Sequence, residues 1–567
     1  DSFPGVVVMH DFYLGNIKAH IECTENNLGI WARELYESYG YAAVYERYHL
    51  KDPTDVSEFA FKYPSNFSII QRALGIIVHS DYSLRLARSW YGQSDNWVTI
   101  PLLRRSFSSS DRTEARRKLG IRQDSFLVCS FGILGATKQN HRLLMAFLRS
   151  DISKDPRCKL IFVGENYAGD YGSKLLRTIS HSGLQESIHI TGWVDSETFN
   201  NYLQAANIAV QLRTLSRGET SAAVLDCMSY GLPTIVNANG SMAELPEDTV
   251  YILPDDFKDE ELIEALDTLW RDAERREEMA SRAHEIISTL HAPTACARQY
   301  AQAIEGFYNR SQTDTRALID ALAGSDSLPD DKESLIALAV SISQNLPRKH
   351  SARQILVDVS ALVQTDLKTG VERVTRSILL NLLRNPPACC RIEPVFATSR
   401  THGYRYARKF ARKLLDCPSV GLEDDPIEFQ TGDIFLGLNL NHHAVTDQIR
   451  YLEVLRNAGV RIFFVVYDLL PILIPEVFPP GTDDLHDKWL KSISRVSDGV
   501  VCISRSVADD VTEWLKTNGP KRLRPLKIGW FHIGADIENS VPTQGLPDDA
   551  SQVLNSLSYR PSFLMVG

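Results

Sequence analysis

Short runs of consecutive apolar residues recur along this chain, and each is followed by a polar or glycine-containing turn and then by a helical pattern. In the first 310 residues, nine such runs lie at 6–9, 76–78, 97–100, 125–130, 159–163, 188–191, 208–212, 234–236 and 250–253. A strand that is apolar on both faces is typical of a parallel sheet covered by helices on both sides. The alternation therefore predicts an α/β fold of doubly wound, Rossmann-like parallel sheets.

The grouping of the runs predicts the domains. The groups within 1–113 and 114–310 are expected to form two halves that face each other across a cleft, the kind of place where small molecules bind. The pattern loosens over 311–350, which we interpret as a linker between short helices. A second α/β unit is expected over 351–545, and 546–567 is interpreted as the start of that unit's second half.

The second unit repeats sequence features of the first in the same order. VVVMHDFYL (6–14) resembles FFVVYDLLP (463–471), and GIIVHSDYSLRLA (75–87) resembles GVVCISRSVADDV (499–511). SFLVCSFG (125–132) resembles SFLMVG at the end of the chain. An internal duplication explains this order. Because the chain opens and closes on strand-like runs, we interpret both ends as cuts through a larger protein.

Composition limits the function classes. A net charge of -10 over 567 residues argues against a general nucleic-acid binder, because no basic field exists to displace counterions from a phosphate backbone. The nine cysteines form no CxxC pair, which favours a reducing cytoplasm. No apolar run reaches the ~18 residues of a spanning helix, so we expect a soluble cytoplasmic protein, or at most a peripheral one on the inner face of the cytoplasmic membrane.

The stretch RTLSRGETSAAVLDCMSYGLPTIV (213–236) contains the main candidate site. A polar loop leads into a predicted helix over about 220–230. The candidate residues of the loop and the helix start are Arg213, Arg217, Glu219, Thr220 and Ser221. The start of a helix has unpaired N–H groups and the positive end of the helix dipole, which favour a phosphate. The stretch is therefore a candidate nucleotide site.

Two motifs resemble family 4 of the retaining, nucleotide-sugar-dependent glycosyltransferases, whose two-domain fold is called GT-B. The run LDCMSYGLPTIV is similar to a family motif, with Asp226 in place of the second of two glutamates. The first glutamate would fall at Gly218, whereas the acid here is Glu219. The run FGILGATK is similar to a second motif, with Gly132 and Lys138 in place. The resemblance extends over nearly the whole chain.

The resemblance implies a role for each candidate in the first unit. Ile133 occupies the position of a family arginine, so Arg213 or Arg217 is the candidate for the missing cation. Lys138 would contact the diphosphate, Asp226 the ribose, and Glu219 the donor sugar. His10, with Asp11 beside it, resembles the family's histidine near the reacting sugar. The implied catalytic residues are His10, Glu219 and Lys138. The implied donor-binding residues are Gly132, Lys138, Arg213, Arg217, Glu219, Thr220, Ser221 and Asp226.

Each of these residues also has a plain structural interpretation. Lys138 is compatible with a solvated loop, and Asp226 with an exposed helix face. Glu219 is compatible with a first-turn acid that the helix dipole favours. His10 is compatible with a core histidine, and the two arginines with surface salt bridges. The residues alone leave these alternatives open.

The second unit has weaker candidates. The loop TDLKTGVER resembles the family's acceptor-side glycine loop, so Gly370, Arg373 and Asp468 are acceptor-side candidates. Tyr467 stands where the first unit has His10, so activity of this unit is an open question. The run at 405–415 places aromatic and basic residues on opposite sides of a helix, which is typical of contact with an anionic membrane or of an ordinary solvated helix.

The resemblance implies a retaining glycosyltransferase that extends a cell-surface polysaccharide such as O-antigen, with GDP-mannose as the best guess for the donor. The expected partners are the nucleotide sugar, a glycan or lipid-linked oligosaccharide acceptor and other polysaccharide-assembly proteins, without nucleic acid. No cofactor or metal is expected in the chemistry. Another nucleotide sugar, or one unit acting as a non-catalytic glycan-binding scaffold, remains an alternative. A GT-B epimerase or phosphorylase fits less well.

Overall fold

A computed structural model of the chain describes residues 5–25, 29–51, 55–92, 95–107, 112–166, 169–311, 315–325, 328, 331–345, 353–365, 369–388, 390–398, 402–417, 423–534 and 548–561. The chain forms two compact units. The first consists of Asp1–Asn27 and Asp52–Ala339, and the second of Leu28–Lys51 and Val340–Gly567.

The described strands, numbered along the chain, are β1 (Val6–Val8), β2 (Gly75–Val78), β3 (Trp97–Thr99), β4 (Phe126–Phe131), β5 (Cys158–Val163), β6 (Ile188–Ile190), β7 (Ile208–Gln211), β8 (Thr234–Asn237), β9 (Tyr251–Leu253), β10 (Arg353–Asp358), β11 (Cys390–Phe396), β12 (Arg405–Tyr406), β13 (Ile434–Gly437), β14 (Arg461–Val466), β15 (Gly499–Cys502) and β16 (Lys527–Trp530).

The described helices of the first half of the chain are α1 (Gly15–Glu25), α2 (Ile30–Tyr39), α3 (Tyr41–Tyr48), α4 (Asp55–Phe59), α5 (Phe67–Ile70), α6 (Asp81–Tyr91), α7 (Arg112–Lys118), α8 (Asn140–Arg149), α9 (Gly169–His181), α10 (Ser196–Ala205), α11 (Ala222–Ser229), α12 (Asp259–Arg271), α13 (Ala273–Thr289) and α14 (Pro293–Ser311). Those that follow are α15 (Thr315–Ala323), α16 (Lys332–Asn345), α17 (Ser360–Gln364), α18 (Gly370–Arg384), α19 (Arg408–Leu414), α20 (His442–Asp447), α21 (Ile449–Asn457), α22 (Leu470–Leu473), α23 (Thr482–Val496), α24 (Arg505–Asn518) and α25 (Ala550–Ser558).

The first unit contains two parallel sheets. The smaller has the order β1-β2-β3, and the larger has the order β6-β5-β4-β7-β8-β9. The chain therefore winds outward from β4 in one direction, returns and continues from β7 in the other, as in dinucleotide-binding folds. The point where the direction reverses lies between β4 and β7. In open α/β sheets, ligands bind outside the carboxyl ends of the strands at such a point.

Helices cover both faces of the six-stranded sheet. Alternate residues of β4 enter different cores: Val128 packs in the cluster that contains Leu143 and Leu266, whereas Cys129 packs in the cluster that contains Leu203. Both strand residues are fully buried. This explains why β4 reads as a continuous apolar run rather than as an alternating one. The predicted α/β class with doubly wound parallel sheets is confirmed.

The second unit is built on a seven-stranded sheet with the order β12-β11-β10-β13-β14-β15-β16. Its pairs are parallel except that β12 runs antiparallel to β11. Trp489 and Phe464 are fully buried in its core. The neighbours β14-β15-β16 have the same order and direction as β1-β2-β3, which agrees with two of the three sequence echoes. The third echo, at 562–567, lies outside the described residues.

Residues 29–51 form a helical hairpin that belongs to the second unit, although the sequence places them inside the first predicted domain. The Tyr36 hydroxyl lies 2.9 and 3.1 Å from the carboxylate oxygens of Glu393, which is fully buried. Arg391 pairs with Glu393, and Arg408 Nε donates to the Tyr36 hydroxyl at 3.0 Å. Burial and the Glu393 charge raise the pKa of Tyr36 to about 12. The predicted domain 1–113 is therefore divided between the two units, with residues 29–51 in the second.

The segment interpreted as a linker contains α15 and α16. Exposed aliphatic residues lie on both helices: Leu318, Ile319, Leu335, Ile336 and Val340. The boundary between the two units falls within α16, after Ala339. Residues 346–350 of the predicted linker lie outside the described residues.

The basic segment 405–415 does not form the single amphipathic helix that the sequence suggests. Its first two residues form β12, and Tyr406 is buried. Arg408 pairs with Asp425 at 2.7 Å, and Lys409 pairs with Glu423 at 2.5 Å. An acidic loop and Tyr36 thus neutralise part of the basic face. Within the described part of the chain, no helix is both long and apolar enough to span a bilayer.

Candidate active site

The carboxyl ends of β4 and β7, where the strand order of the larger sheet reverses, carry the first candidate residues. Gly132 follows β4 with φ +100°, and a Cβ atom there would lie 2.5 Å from Nζ of Lys138. The lysine side chain therefore folds over a residue that has to be glycine. Gln211 ends β7, is fully buried and has an Nε2 atom with no hydrogen-bond partner among the described residues.

Lys138 presents an ammonium group without a counterion in the described part of the chain. It ends the short 3₁₀ helix Ala136–Lys138 and is half-buried. Burial and the neighbouring charge of Arg213 lower the pKa of Lys138 to about 8. A buried cation without a partner is unfavourable for folding, so an anion that binds there gains affinity.

Arg213 follows β7, and hydrogen bonds to its backbone fix its position. Asn237, at the end of β8, accepts from Arg213 N at 2.8 Å and donates to Arg213 O at 2.7 Å. Gln139 also donates to Arg213 O, at 2.8 Å. Burial lowers the pKa of the Arg213 guanidinium, while the carboxylate of Glu219 acts in the opposite direction. Two cations, Lys138 and Arg213, are therefore held close together at the reversal point.

The loop that follows, 214–219, packs against the smaller sheet of the same unit. Arg217 O accepts from the backbone N–H groups of Phe12 and Tyr13 at 2.6 and 2.9 Å. Ser83 Oγ donates to Gly218 O. Gly218 has φ +84°, and a Cβ there would lie 2.5 Å from Cβ of Phe12. The position where the family motif has its first glutamate therefore has room only for glycine.

Glu219 stabilises this loop from within. Its Oε2 accepts from the backbone N–H of Arg217 and, at 3.2 Å, from Ser216 Oγ. Its backbone carbonyl accepts from Ser241 Oγ at 2.8 Å. Glu219 is also close enough to Asp11 to raise the pKa of that carboxyl group, although burial is the larger cause and Arg217 acts against it.

His10 and Asp11 follow β1 and face this loop. His10 is exposed, and its ring centroid lies 4.9 Å from that of His79, which follows β2. Asp11 Oδ1 lies 3.8 Å from Arg217 Nε. The charges of His10, Arg217 and Glu219 all act on the carboxyl group of Asp11. The charge of Arg213 is close to those of Glu219 and Arg217 and also acts on Lys138, so it connects this group to the lysine.

Thr220 and Ser221 stand immediately before α11. Thr220 Oγ1 and Ser221 Oγ are buried and have no hydrogen-bond partner among the described residues. Ser221 is the N-cap residue, but its side chain makes no capping hydrogen bond. Buried hydroxyl groups are nearly always hydrogen-bonded in folded proteins. These two hydroxyl groups lie beside the first N–H groups of α11, a position that can bind an anion.

Asp226 lies one turn into α11 and has a partner of its own. Arg104 Nε donates to Asp226 Oδ1 at 2.8 Å. Burial raises the pKa of Asp226, and Arg104 opposes that effect. The backbone N–H of Arg104 donates to His291 O at 2.8 Å, which fixes the segment that follows β3. Asp226 is therefore neither an exposed helix residue nor in direct contact with Lys138.

The second-unit candidates are arranged differently. Gly370 is the exposed first residue of α18, and Arg373 lies in its first turn. Asp468 follows β14, where its Oδ1 accepts from Leu470 N at 3.1 Å. The helix and the strand end are joined through Thr375 and Tyr467, whose hydroxyl groups lie 3.1 Å apart.

Comparison with known proteins identifies one segment. Residues 111–286 match the family described as Glycosyl transferases group 1. This segment of the chain is therefore similar to group 1 glycosyl transferases. The match contains Gly132, Lys138, Arg213 and Asp226, so the predicted resemblance is confirmed for this glycosyltransferase domain. His10 and His79 lie outside the matched segment.

Individual relatives are mannosyl- and kanosaminyltransferases. The chain is 34% identical over 261 residues to the serotype-specific mannosyltransferase WbdA of Escherichia coli, which covers 45% of this chain and 30% of WbdA. It is 24% identical over 192 residues to alpha-D-kanosaminyltransferase of Streptomyces kanamyceticus, which covers 34% of this chain and 48% of that protein. The chain thus spans less than half the length of either relative.

Among solved structures, the chain is similar to Anabaena Alr3699/HepE in complex with UDP. The sequence identity is 18% and the TM-score is 0.40, over 54% of this chain and 73% of that chain.

Several residues around the glycosyltransferase domain's site were not singled out from the sequence. They are Arg104, which pairs with Asp226; His79, beside His10; Asn237, which holds Arg213; and Gln211, with its unpartnered amide. All but Arg104 stand at or directly after the carboxyl end of a parallel strand. A polar residue at that place in an otherwise apolar run is the signal that would have indicated them.

Proposed function

We propose that the first unit transfers a sugar from a nucleoside diphosphate sugar to a glycan. The observation that carries this proposal is the ammonium of Lys138, which has no counterion among the described residues and lies beside Arg213. Both residues stand at the reversal point of a sheet, in the segment that matches group 1 glycosyl transferases. A departing diphosphate is the anion that such a pair of cations would stabilise. The start of α11, with Thr220 and Ser221, adds further donors on the same side.

The proposed reaction retains the configuration of the sugar. The acceptor oxygen attacks the anomeric carbon on the face that the leaving group departs from. The bond from that carbon to the diphosphate oxygen breaks, the bond to the acceptor oxygen forms, and the acceptor proton passes to a diphosphate oxygen. In this scheme Lys138 and Arg213 or Arg217 balance the diphosphate charge, so the chemistry needs no metal ion. Asp226 binds the ribose, Glu219 the donor sugar, and His10 lies near the reacting carbon.

For the substrates we propose GDP-mannose and a growing cell-surface polysaccharide such as O-antigen, free or lipid-linked. The mannosyltransferase name of the E. coli relative supports the sugar. We extend the proposal to a tandem enzyme of polysaccharide assembly that works with other assembly proteins in the cytoplasm or at the inner face of its membrane. Arg412 and Lys413 remain for such a membrane contact after Arg408 and Lys409 have paired with acids.

A second candidate function concerns the second unit alone. Tyr467, at the position equivalent to His10, is 4% exposed, and its hydroxyl donates to Leu438 O at 2.9 Å. A side chain held in this way replaces the exposed histidine of the first unit. This observation favours a non-catalytic, glycan-binding second unit over a second active site.

Transfer assays test the proposal. The full chain is incubated with GDP-mannose, UDP-glucose and dTDP-glucose and an α-mannobiose acceptor, and products are followed by mass. Lys138→Ala should lower kcat by at least about tenfold, because it removes about 1.4 kcal/mol of leaving-group stabilisation. Lys174→Ala, on the exposed face of α9, is the matched control and should retain activity. Wild-type turnover in Lys138→Ala would refute the lysine's role, and absence of transfer with every donor would refute the proposed activity.

A further inference from the structure

One imidazole near the candidate site has an unused hydrogen-bonding atom. His79 follows β2 and is 8% exposed. Its Nδ1 lies 2.9 Å from the backbone carbonyl of Ile100. A carbonyl can only accept, so Nδ1 carries the proton and Nε2 of the neutral ring carries a lone pair. That Nε2 is buried and has no partner in the described part of the chain.

The surroundings keep the ring neutral. Burial is the main cause that lowers the pKa of His79, and the nearby charges of His10 and Arg104 act in the same direction. The Ile100 carbonyl opposes them. His10 and Arg104 are the titratable and charged groups that face the ring. At neutral pH, therefore, Nε2 is an acceptor and not a donor.

An acceptor in this position selects the chemistry of its ligand. A lone pair repels phosphate and carboxylate oxygens but accepts a hydrogen bond from a hydroxyl group. Leaving such a buried acceptor unpaired is unfavourable, and a bound hydroxyl group would supply the missing hydrogen bond. The diphosphate candidates Lys138 and Arg213 lie on the larger sheet, whereas His79 stands on the smaller sheet beside the exposed ring of His10.

We propose that His79 is an acceptor-binding residue whose Nε2 accepts a hydrogen bond from a hydroxyl group of the acceptor sugar. The Ile100 carbonyl fixes the tautomer that makes this possible. The ring lies beside that of His10, with the two centroids 4.9 Å apart. The inference rests on the proposed transfer function and adds to it one contact with the acceptor.

Three variants separate this role from a structural one. His79→Leu removes the acceptor atom while keeping an apolar side chain, and should raise the acceptor KM about tenfold with little change in the donor KM. His79→Gln keeps an oxygen acceptor that does not titrate, and should stay within about threefold of the wild type. His291→Leu is the matched control, because His291 Nδ1 is held by the Leu102 carbonyl at 2.8 Å in a similar way. It should leave the acceptor KM unchanged.

The pH dependence supplies a signature that loss of folding would not produce. Protonation converts Nε2 from an acceptor into a donor. Because burial lowers the pKa of His79 below its ordinary value, the acceptor KM of the wild type should rise only at acidic pH. His79→Gln should lack this rise. Because the variant keeps every other titratable group, the difference between the two curves reports His79 alone. A wild-type curve that His79→Gln reproduces would overturn the inference.

Binding can be read without turnover. In the full chain with ¹⁵N-labelled histidine, the Nε2 resonance of His79 should report an unprotonated nitrogen and should shift when α-1,3-mannobiose is added. A water molecule at this place predicts no such shift, and no response to mannobiose overturns the inference. If the wild type transfers no sugar but His79 still responds, the proposed reaction fails while this binding contact stands. If transfer proceeds and His79→Leu matches His291→Leu, the contact alone is wrong.

Discussion

Replacing Lys138 by methionine should stabilise the empty protein while removing its affinity for the donor. The ammonium is half-buried beside Arg213, and partial burial together with the Arg213 charge lowers its pKa from 10.5 to about 8. Each tenfold change in proton affinity is worth about 1.4 kcal/mol, so holding the charge there costs about 3 kcal/mol at most. Methionine has a similar length and no charge, and its stabilising effect should raise Tm by several degrees.

The effect has a definite pH window. Below pH 8 the lysine is charged in both the folded and the unfolded chain, so the whole cost applies. Between pH 8 and 10.5 the folded protein loses this proton first, and the cost disappears. The stability difference between Lys138→Met and the wild type should therefore be largest at pH 7 and should vanish as the pH approaches 10.5.

Urea denaturation at pH 7 and pH 10, with and without GDP or UDP, measures both the stability difference and the loss of nucleotide binding. The wild type should be stabilised by the nucleotide, and Lys138→Met should not, because the nucleotide stabilises only a fold that binds it. Lys174→Met, on the exposed face of α9, should behave as the wild type. A Lys138→Met protein that is less stable than the wild type at pH 7, or whose stability difference is the same at both pH values, would refute the reasoning.

Three further predictions concern stability. Gly218→Ala should destabilise the first unit by more than about 2 kcal/mol, because φ is +84° and a Cβ atom would clash with the Cβ of Phe12. Gly183→Ala, at φ +72° with open space around it, should lose only the stability that the strained backbone costs. Equal losses of stability in urea denaturation would contradict the clash. Glu393→Gln should cost about 3 kcal/mol in the second unit, because it leaves Arg391 without its buried counterion. Glu423→Gln, in the exposed pair with Lys409, should leave the stability almost unchanged, and equal losses in the two variants would show that burial is unimportant. Burial and the neighbouring His486 lower the pKa of His442 to about 4, so stability present above pH 6.5 should be lost as the pH falls towards 4, and this loss, followed by Trp fluorescence, should be smaller in His442→Gln.

The sequence determined most of the fold and part of the candidate site. The strands of the larger sheet were predictable because burial on both faces demands continuous apolar runs, as in β4 with Val128 and Cys129. Gly132 and Lys138 were predictable from a motif, and the structure places the lysine over the glycine. Their roles stay predictions until they are measured.

Other features depend on partners that no local pattern reveals. Tyr36 is a typical amphipathic-helix residue, and nothing near it in sequence indicates that its hydroxyl binds Glu393, 357 positions later. Arg408 looks like part of a basic surface, yet Asp425 and Tyr36 use its guanidinium. His79 resembles an ordinary residue at a strand end, and only its burial and its bonded Nδ1 show that Nε2 is left over.

The one-residue departure of Glu219 from the family motif follows from how its loop is held. The backbone at Gly218 approaches Phe12 so closely that no side chain fits, so an acid cannot stand at that position. The carboxylate of Glu219, one position later, accepts hydrogen bonds from Arg217 N and Ser216 Oγ. These bonds hold the loop in the conformation in which the Gly218 backbone lies against Phe12. To contact a donor sugar, Glu219 would have to do so through its other oxygen or give up these bonds. Glu219→Gln keeps the amide oxygen that the loop needs and removes the charge, so it should preserve Tm while lowering kcat if the carboxylate acts on the sugar. If Tm falls together with kcat in Glu219→Gln, Glu219 would instead act only by stabilising the loop.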